Sequence, residues 1–239
     1  MNLSPHPSGA KGNSLVRQAM EAVTGHLREQ KLRVGDTLPG EGHFAAELGV
    51  SRAVMREAFG ALAALNVIDV ANGRKPRVAA IDGSVIATSL GHAVSTAQVS
   101  VAQVWDVRRT LEVRTAALAA ENRTEEEAAA LLALVDAMAQ EAEDLGEVTN
   151  LDIAFHTLIA QASRNQLFHQ IVSSFSPLME IAVPAAWRTR ETDAERGSVL
   201  EHHRDVARAI ADRDPESACS AMEKHFASSI GRILASTDA

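Results

Sequence analysis

Asp152 and His156 stand four residues apart in LDIAFHTLIA, a spacing that sets both on one side of a helix as a two-point grip for a cation. His156 lies among Phe155 and Ile159. His203 falls on the seam of Val199, Val206 and Ile210, and His225 lies with Met222, Phe226 and Ser229. A lone histidine on an apolar face is usually a satisfied core residue. Three of them with a carboxylate, on three different inward faces, point instead to a metal site. One carboxylate, three imidazoles and no sulfur suit Zn²⁺, Ni²⁺, Mn²⁺ or Fe²⁺ without choosing among them. Four such ligands close a tetrahedral site or leave water positions on a larger coordination sphere. His202 sits off the seam, and His26, His43, His92 and His169 have no such company.

Two further groups of charged residues invite chemistry. Around residue 110, Val101, Val104, Leu111, Thr115 and Leu118 make an apolar seam with Arg108 in the missing position. A buried guanidinium is costly without an anion. Glu112, one turn on, can supply it; the alternative is that Arg108 anchors a bound carboxylate or phosphate. The second group lies near the amino terminus. Arg52 and Arg56 are one turn apart beside the small residues Ala53 and Gly60, and Arg74, Lys75 and Arg77 crowd within four residues.

These groups need elements to hold them. The 239 residues are 46% hydrophobic and 23% charged, with six Phe, two Trp and no Tyr, so the core is packed from Leu, Val, Ile and Ala, which favours helices. Cys219 is the single cysteine, which excludes an internal disulfide and a thiolate cluster. No apolar run reaches the length of a membrane span, and the start has no apolar signal core; a cytoplasmic protein without membrane partners follows by elimination. The net charge of −8 is unevenly spread: residues 1–80 carry +3 and residues 81–239 carry −11. A cationic head on an acidic body leaves room for a local phosphate-binding patch.

Residues 1–12 read as a disordered tail. A helix from Ser14 to about Lys31, a short helix from Glu41 to Leu48 stopped at Gly49, and a helix from the N-cap Ser51 to about Leu65 make a helix-turn-helix in a domain spanning 13–81. Phe44, Leu48, Val54, Ala58, Leu62 and Leu65 take inward positions. VIDVA and RVAAI around NGRKP predict a hairpin whose tight turn draws its positive φ angles from Asn72 and Gly73. Such a basic tip is a wing for the DNA backbone or a minor groove, as two guanidiniums at a helix start suit a major groove. Residues 82–99 read as a linker with one short helix. Residues 100–235 read as all helical, over about 100–122, 124–143, 147–163, 166–183, 196–213 and 215–234, with Pro184 among the breaks.

The run GDTLPGEGHFAAELGVSRAVMREAFGALAALNVIDVANGRKPRV resembles the winged helix-turn-helix of the GntR family of bacterial regulators. The likeness rests on Leu38-Pro39, Glu41, Leu48-Gly49-Val50-Ser51-Arg52, Val54, Arg56-Glu57-Ala58, Leu62 and the glycine-tipped wing. It implies DNA contacts from Ser51, Arg52 and Arg56 of the recognition helix, with Gly73, Arg74, Lys75 and Arg77 at the wing. Where that family usually has an arginine or similar long residue after the glutamate, this chain has Gly42. Residues of about 100–234 resemble the all-helical FCD effector domain of the FadR subfamily, through WDVRRTLEVRTAALAAENRT, LDIAFHTLIAQASRN, EHHRDVARAI and AMEKHF. That likeness implies Asp152, His156, His203 and His225 as metal ligands, and Arg108 with Asn165 facing the effector. Arg164 stands where a glycine is common. Trp187, Arg188 and Arg190 either edge the pocket or pack on the surface.

The fold expected is therefore mainly α: an N-terminal winged helix-turn-helix with a small β-hairpin wing, then an all-helical antiparallel-bundle domain. The function expected is that of a homodimeric, metabolite-responsive regulator of double-stranded DNA, binding a short inverted repeat and answering to a small organic acid. Repression relieved by the acid follows from the resemblance alone. Two rivals use the same residues. One is a metalloenzyme activating water at the Asp/His₃ set; it lacks a general base at a motif position. The other makes the metal a purely structural staple.

Overall fold

A computed structural model of the chain describes the backbone of residues 8–190 and 192–237, and the side chains of 14–190 and 192–228. The chain divides into two units, residues 1–85 and 86–239.

In the first unit, α1 (Ser8–Glu29), α2 (Glu41–Leu48) and α3 (Arg52–Ala64) pack around Ala19, Val23, Leu38, Phe44, Met55, Ala58, Phe59, Leu62 and Ile68. Of the expected tail, residues 1–7 lie outside the described residues, while 8–12 already belong to α1. Between α2 and α3, Gly49 takes the left-handed conformation at φ 66 and donates its backbone N–H to Ala45. Ser51 then caps α3, its hydroxyl accepting from the Val54 N–H at 3.2 Å. Leu48 and Leu65, expected inside, are 38% and 50% exposed. Each ends its helix, where the chain turns away from the core. Met55 and Phe59 are buried in their place.

The wing is smaller than expected. Strands β1 (Ile68–Asp69) and β2 (Arg77–Val78) pair antiparallel in the register Ile68 to Val78, and a bridge joins Thr37 to Arg77. The connection is not a two-residue turn. Seven residues separate the strands, and of Asn72 and Gly73 only Gly73 has positive φ, at 78. Pro76, lacking an N–H, cannot extend the ladder inward from β2.

Helix α4 (Ser84–Ser95) fills most of the expected linker and buries none of its residues. The bundle follows: α5 (Val101–Asn122), α6 (Glu125–Gln140), α7 (Leu145–Ala162), α8 (Gln166–Ser173), α9 (Ser176–Arg188), α10 (Asp193–Ala211) and α11 (Pro215–Thr237). Capping boxes start α5 (Ser100 with Gln103), α6 (Thr124 with Glu127) and α10 (Thr192 with Glu195), each satisfying two orphan backbone donors. Asp144 caps α7. The expected helix 166–183 is two helices broken at Ser174–Phe175, and Pro184 lies inside α9 rather than ending it. A proline there removes a bond to the carbonyl of Glu180, a residue on the solvent side where water can replace it.

Alanines 116, 119 and 120 on α5 are fully buried, and their small side chains let α11 pack close along it. Phe155, Ile159, Val206, Ile210, Met222 and Phe226 complete that core. Arg164, in the glycine-like position after α7, adopts φ 57 and donates two hydrogen bonds of 2.7 Å to Glu127. That bidentate pair offsets the cost of about 1–2 kcal/mol for a left-handed non-glycine residue.

Candidate functional site

Helices α7, α10 and α11 bring His156, His203 and His225 together. All three are buried, and one ligand nitrogen from each lies within 4.8 Å of the others. The ring centroids of His203 and His225 are 4.3 Å apart and those of His156 and His225 5.1 Å. Asp152 joins them from α7: its Oδ1 stands 3.1 Å from Nε2 of His203 and 3.9 Å from Nε2 of His156. The four residues separated by up to 73 positions in the chain thus form one cluster. Phe155 and Phe226 brace the imidazoles edge-on.

The outer nitrogens are already engaged. Nδ1 of His203 donates to the backbone carbonyl of Val199 at 2.9 Å, since a carbonyl can only accept. Nδ1 of His156 is hydrogen-bonded to Glu112, a fully buried carboxylate on α5. Both bonds direct Nε2 toward Asp152 and the cluster, as the outer partners of metal-ligating histidines do. Burial pushes the Glu112 carboxyl up, but the charges and hydrogen bonds of Arg108 and His156 outweigh it and hold the group below the usual carboxylate range. Burial likewise opposes ionisation of Asp152, and the His203 hydrogen bond with the positive charge of His156, His203 and Arg108 overrides it; the result is well below that range. Burial, reinforced by His203 and His156, pushes His225 well below the ordinary imidazole value, so it stays neutral with a lone pair to give. An ionised carboxylate, a neutral imidazole and two oriented ones are the donor set a divalent cation requires.

The cluster forms one wall of a cavity, also lined by Trp105, Arg108, Met138, Val148, Trp187 and Arg190. It offers about 40 Å³ to the centres of water-sized groups. Arg108 is 2% exposed; its Nε donates to Glu112 at 2.5 Å, and Nη1 contacts the sulfur of Met179. Glu112 is therefore the anion that the sequence offered Arg108, and the guanidinium still lines the cavity. Trp187 and Arg190 are both buried at its edge, Arg190 donating to the Ala186 carbonyl at 2.7 Å with its guanidinium 5.8 Å from the Trp187 ring; Arg188 is exposed. Asn165 stands elsewhere. It is exposed and caps α8 through Oδ1, accepting from Leu167 and Phe168, and it does not line this cavity. A capping side chain spent on its own helix start is a sufficient physical reason for an asparagine there.

Two roles were hidden from the sequence. Glu112 reaches His156 across 44 residues, and only the i,i+4 step to Arg108 was visible. Trp105, which the sequence did not single out, lines the cavity beside Arg108.

In the first unit, Arg52, Ala53, Arg56 and Gly60 share an exposed face of α3, with Ser51 exposed at its start. On the wing, Arg74 pairs with Asp69 at 3.1 Å, Nη1 of Arg77 donates to the Gly35 carbonyl at 2.9 Å, and Lys75 and Gly73 are exposed.

A helix-turn-helix with exposed arginines on its second helix and a small strand pair, followed by a helical bundle containing a cavity, is the architecture of a DNA-binding regulator. Residues 15–78 match the family described as bacterial regulatory proteins, gntR family, and residues 103–228 match the FCD domain. The chain belongs to the gntR family of transcription regulators, and carries an FCD domain. It is 30% identical over 211 residues to the Glc operon transcriptional activator of Escherichia coli (strain K12), covering 86% of this chain and 83% of that protein. It is 30% identical over 209 residues to the HTH-type transcriptional regulator LutR of Bacillus subtilis (strain 168), covering 84% and 92%. The solved structure of Streptococcus agalactiae GntR superposes with a TM-score of 0.62 at 25% identity, covering 89% of this chain and 98% of that one. These are DNA-binding regulators, not enzymes, and the metalloenzyme reading falls with them. No described helix is long and apolar enough to cross a membrane.

Proposed function

We propose that this regulator is a cytoplasmic homodimer that represses transcription from a short inverted repeat and is released by a small organic acid bound at a divalent metal, with zinc the first candidate and nickel, manganese or iron the others. Asp152, His156, His203 and His225 hold the ion, which supplies a Lewis-acidic contact for the acid's carboxylate. Arg108 holds that carboxylate by charge-assisted hydrogen bonds. The observation that carries this reading is the convergence of three buried histidines, with Asp152 beside two of them, on the wall of a cavity that also contains a guanidinium. The acid shifts DNA affinity by its differential affinity for two placements of the heads. Arg52 and Arg56 read the major groove, helped by Ser51; the wing meets the backbone through Gly73, Arg74 and Lys75, with Arg77 steadying its base. Relatives named as an activator and as a repressor, NanR of Klebsiella aerogenes at 26% identity, share the architecture, so the sign of regulation rests on the assay below.

Gel-shift titration on DNA flanking the gene, with metal content measured on the same sample and a panel of organic acids added, tests the whole reading. Retarded DNA that is released by an acid only in metal-loaded protein is the expected result. Release that survives chelation makes the metal a staple, and the absence of any DNA complex overturns the reading.

Gly42 gives a separate expectation. It is exposed in the first turn of α2, and a Cβ there would meet nothing within 4 Å. Gly42→Arg restores the long cation usual at this place and removes a poor helix former. Operator affinity should rise several-fold and the log–log salt slope should steepen by about 0.9 per head. Fluorescence anisotropy at four salt concentrations measures both; an unchanged slope would place α2's start away from the phosphates.

A further inference from the structure

Trp105 lies one turn before Arg108 on the inward face of α5, 5% exposed, and its indole lines the cavity. Its surroundings treat it as hydrocarbon. Phe226 meets it edge-on at 5.2 Å, and the Arg108 guanidinium carbon lies 5.4 Å from the ring centroid. Nothing among the described residues accepts from its Nε1–H. A buried donor without an acceptor costs free energy that phenylalanine, with the same apolar contacts, would avoid. Apart from the three histidines and Asp152, the polar side chains on this cavity wall are Arg108, Arg190, Trp105 and Trp187, all of which only donate. An occupant that satisfies them must be rich in acceptors. It must also be short, because about 40 Å³ for water centres corresponds to roughly three waters at one sphere each.

We infer that Trp105 is a specificity-determining residue, its indole N–H donating to a second acceptor oxygen of the effector, beyond the carboxylate that Arg108 holds. The effector class is thereby a short oxygenated acid, hydroxy-, keto- or dicarboxylic, in preference to a plain alkanoate. This rests on the reading of the cavity as an acid site. A site built around a hydrogen bond rejects the analogue lacking the partner group, because the donor is then stranded.

The test uses the metal-loaded full chain and three-carbon probes: propionate, 2-hydroxypropionate and malonate, with dissociation constants from calorimetry. At least one oxygenated acid should bind about ten-fold or more tighter than propionate. In Trp105→Phe that preference should shrink to about three-fold or less, with propionate affinity and metal content unchanged. A hydroxyl can also gain from the metal, so the change in preference on mutation is the decisive quantity. A preference that persists in Trp105→Phe, or an equal loss for all three acids, overturns the inference while leaving the acid site standing. Metal uptake with no acid bound by the wild type sinks the acid site itself.

Should Trp105→Phe fail to fold, the chain's composition provides a second measurement. Both of its tryptophans line the cavity. In Trp187→Phe the sole indole is Trp105, and its emission should shift to the red with the oxygenated acid and not with propionate. An identical response to both acids counts against the donor role.

Discussion

His203→Ala should leave the protein without stoichiometric metal and without response to acid, while its DNA complex survives. The substitution removes the imidazole whose Nε2 faces Asp152 at 3.1 Å and whose ring sits closest to His225. Loss of an outer partner of a metal ligand costs 10- to 100-fold in affinity, so loss of a ligand should cost more than about 100-fold. Asp152, buried and held ionised, then loses the imidazole that faces it at 3.1 Å, so the variant also starts from a lower stability. Thermal denaturation separates the two effects. Metal at a hundred times its dissociation constant stabilises by about 2.7 kcal/mol, which for a chain of this size raises Tm by about 5–10 °C. The wild type should show that rise and His203→Ala should not, from a lower starting Tm. Metal-dependent stabilisation of the variant equal to that of the wild type would remove His203 from the ligand set.

Arg56→Ala should do the converse: metal content and Tm shift unchanged, operator affinity reduced by roughly 10- to 100-fold for each head that makes the contact. The guanidinium is exposed on the same face as Arg52, in the unit that does not contain the chelating cluster. A bidentate base contact is worth about 1–3 kcal/mol, and the proposed dimer would make it once in each head. Salt dependence tells its nature. If Arg56 pairs with phosphate, the log–log slope falls by about 0.9 per head and all sequences weaken together; if it reads a base edge, the slope holds and one operator position loses discrimination. Equal loss of metal and of DNA binding in this variant would undo the separation of the two modules.

How far the sequence reached depends on the range of the forces involved. Caps and turns are local, and Ser51, Ser100, Thr124 and Gly49 were readable as helix limits because each acts within four residues. The inward histidines were readable too, since a polar residue on an apolar seam is an anomaly that periodicity exposes. What periodicity cannot give is where two helices cross. The partnership of Glu112 with His156 and the presence of Trp105 and Arg190 on one cavity wall are products of packing among α5, α7, α9 and α11. Pro184 misled because helix breaking by proline depends on whether the freed carbonyl meets solvent, a property of the tertiary structure. Asn165 shows the local side again: a family likeness gives it a distant role, while its side chain caps α8, a role within reach of the sequence.

Glu112 gives one oxygen to Arg108 and the other to His156. On the proposed reading, its two oxygens tie the residue that would hold the acid to one that would hold the ion, with no flexible link between. If that reading holds, a lineage that drifts toward a different ion, or toward a differently shaped acid, renegotiates both preferences at this single carboxylate, so ion choice and metabolite choice should diversify together.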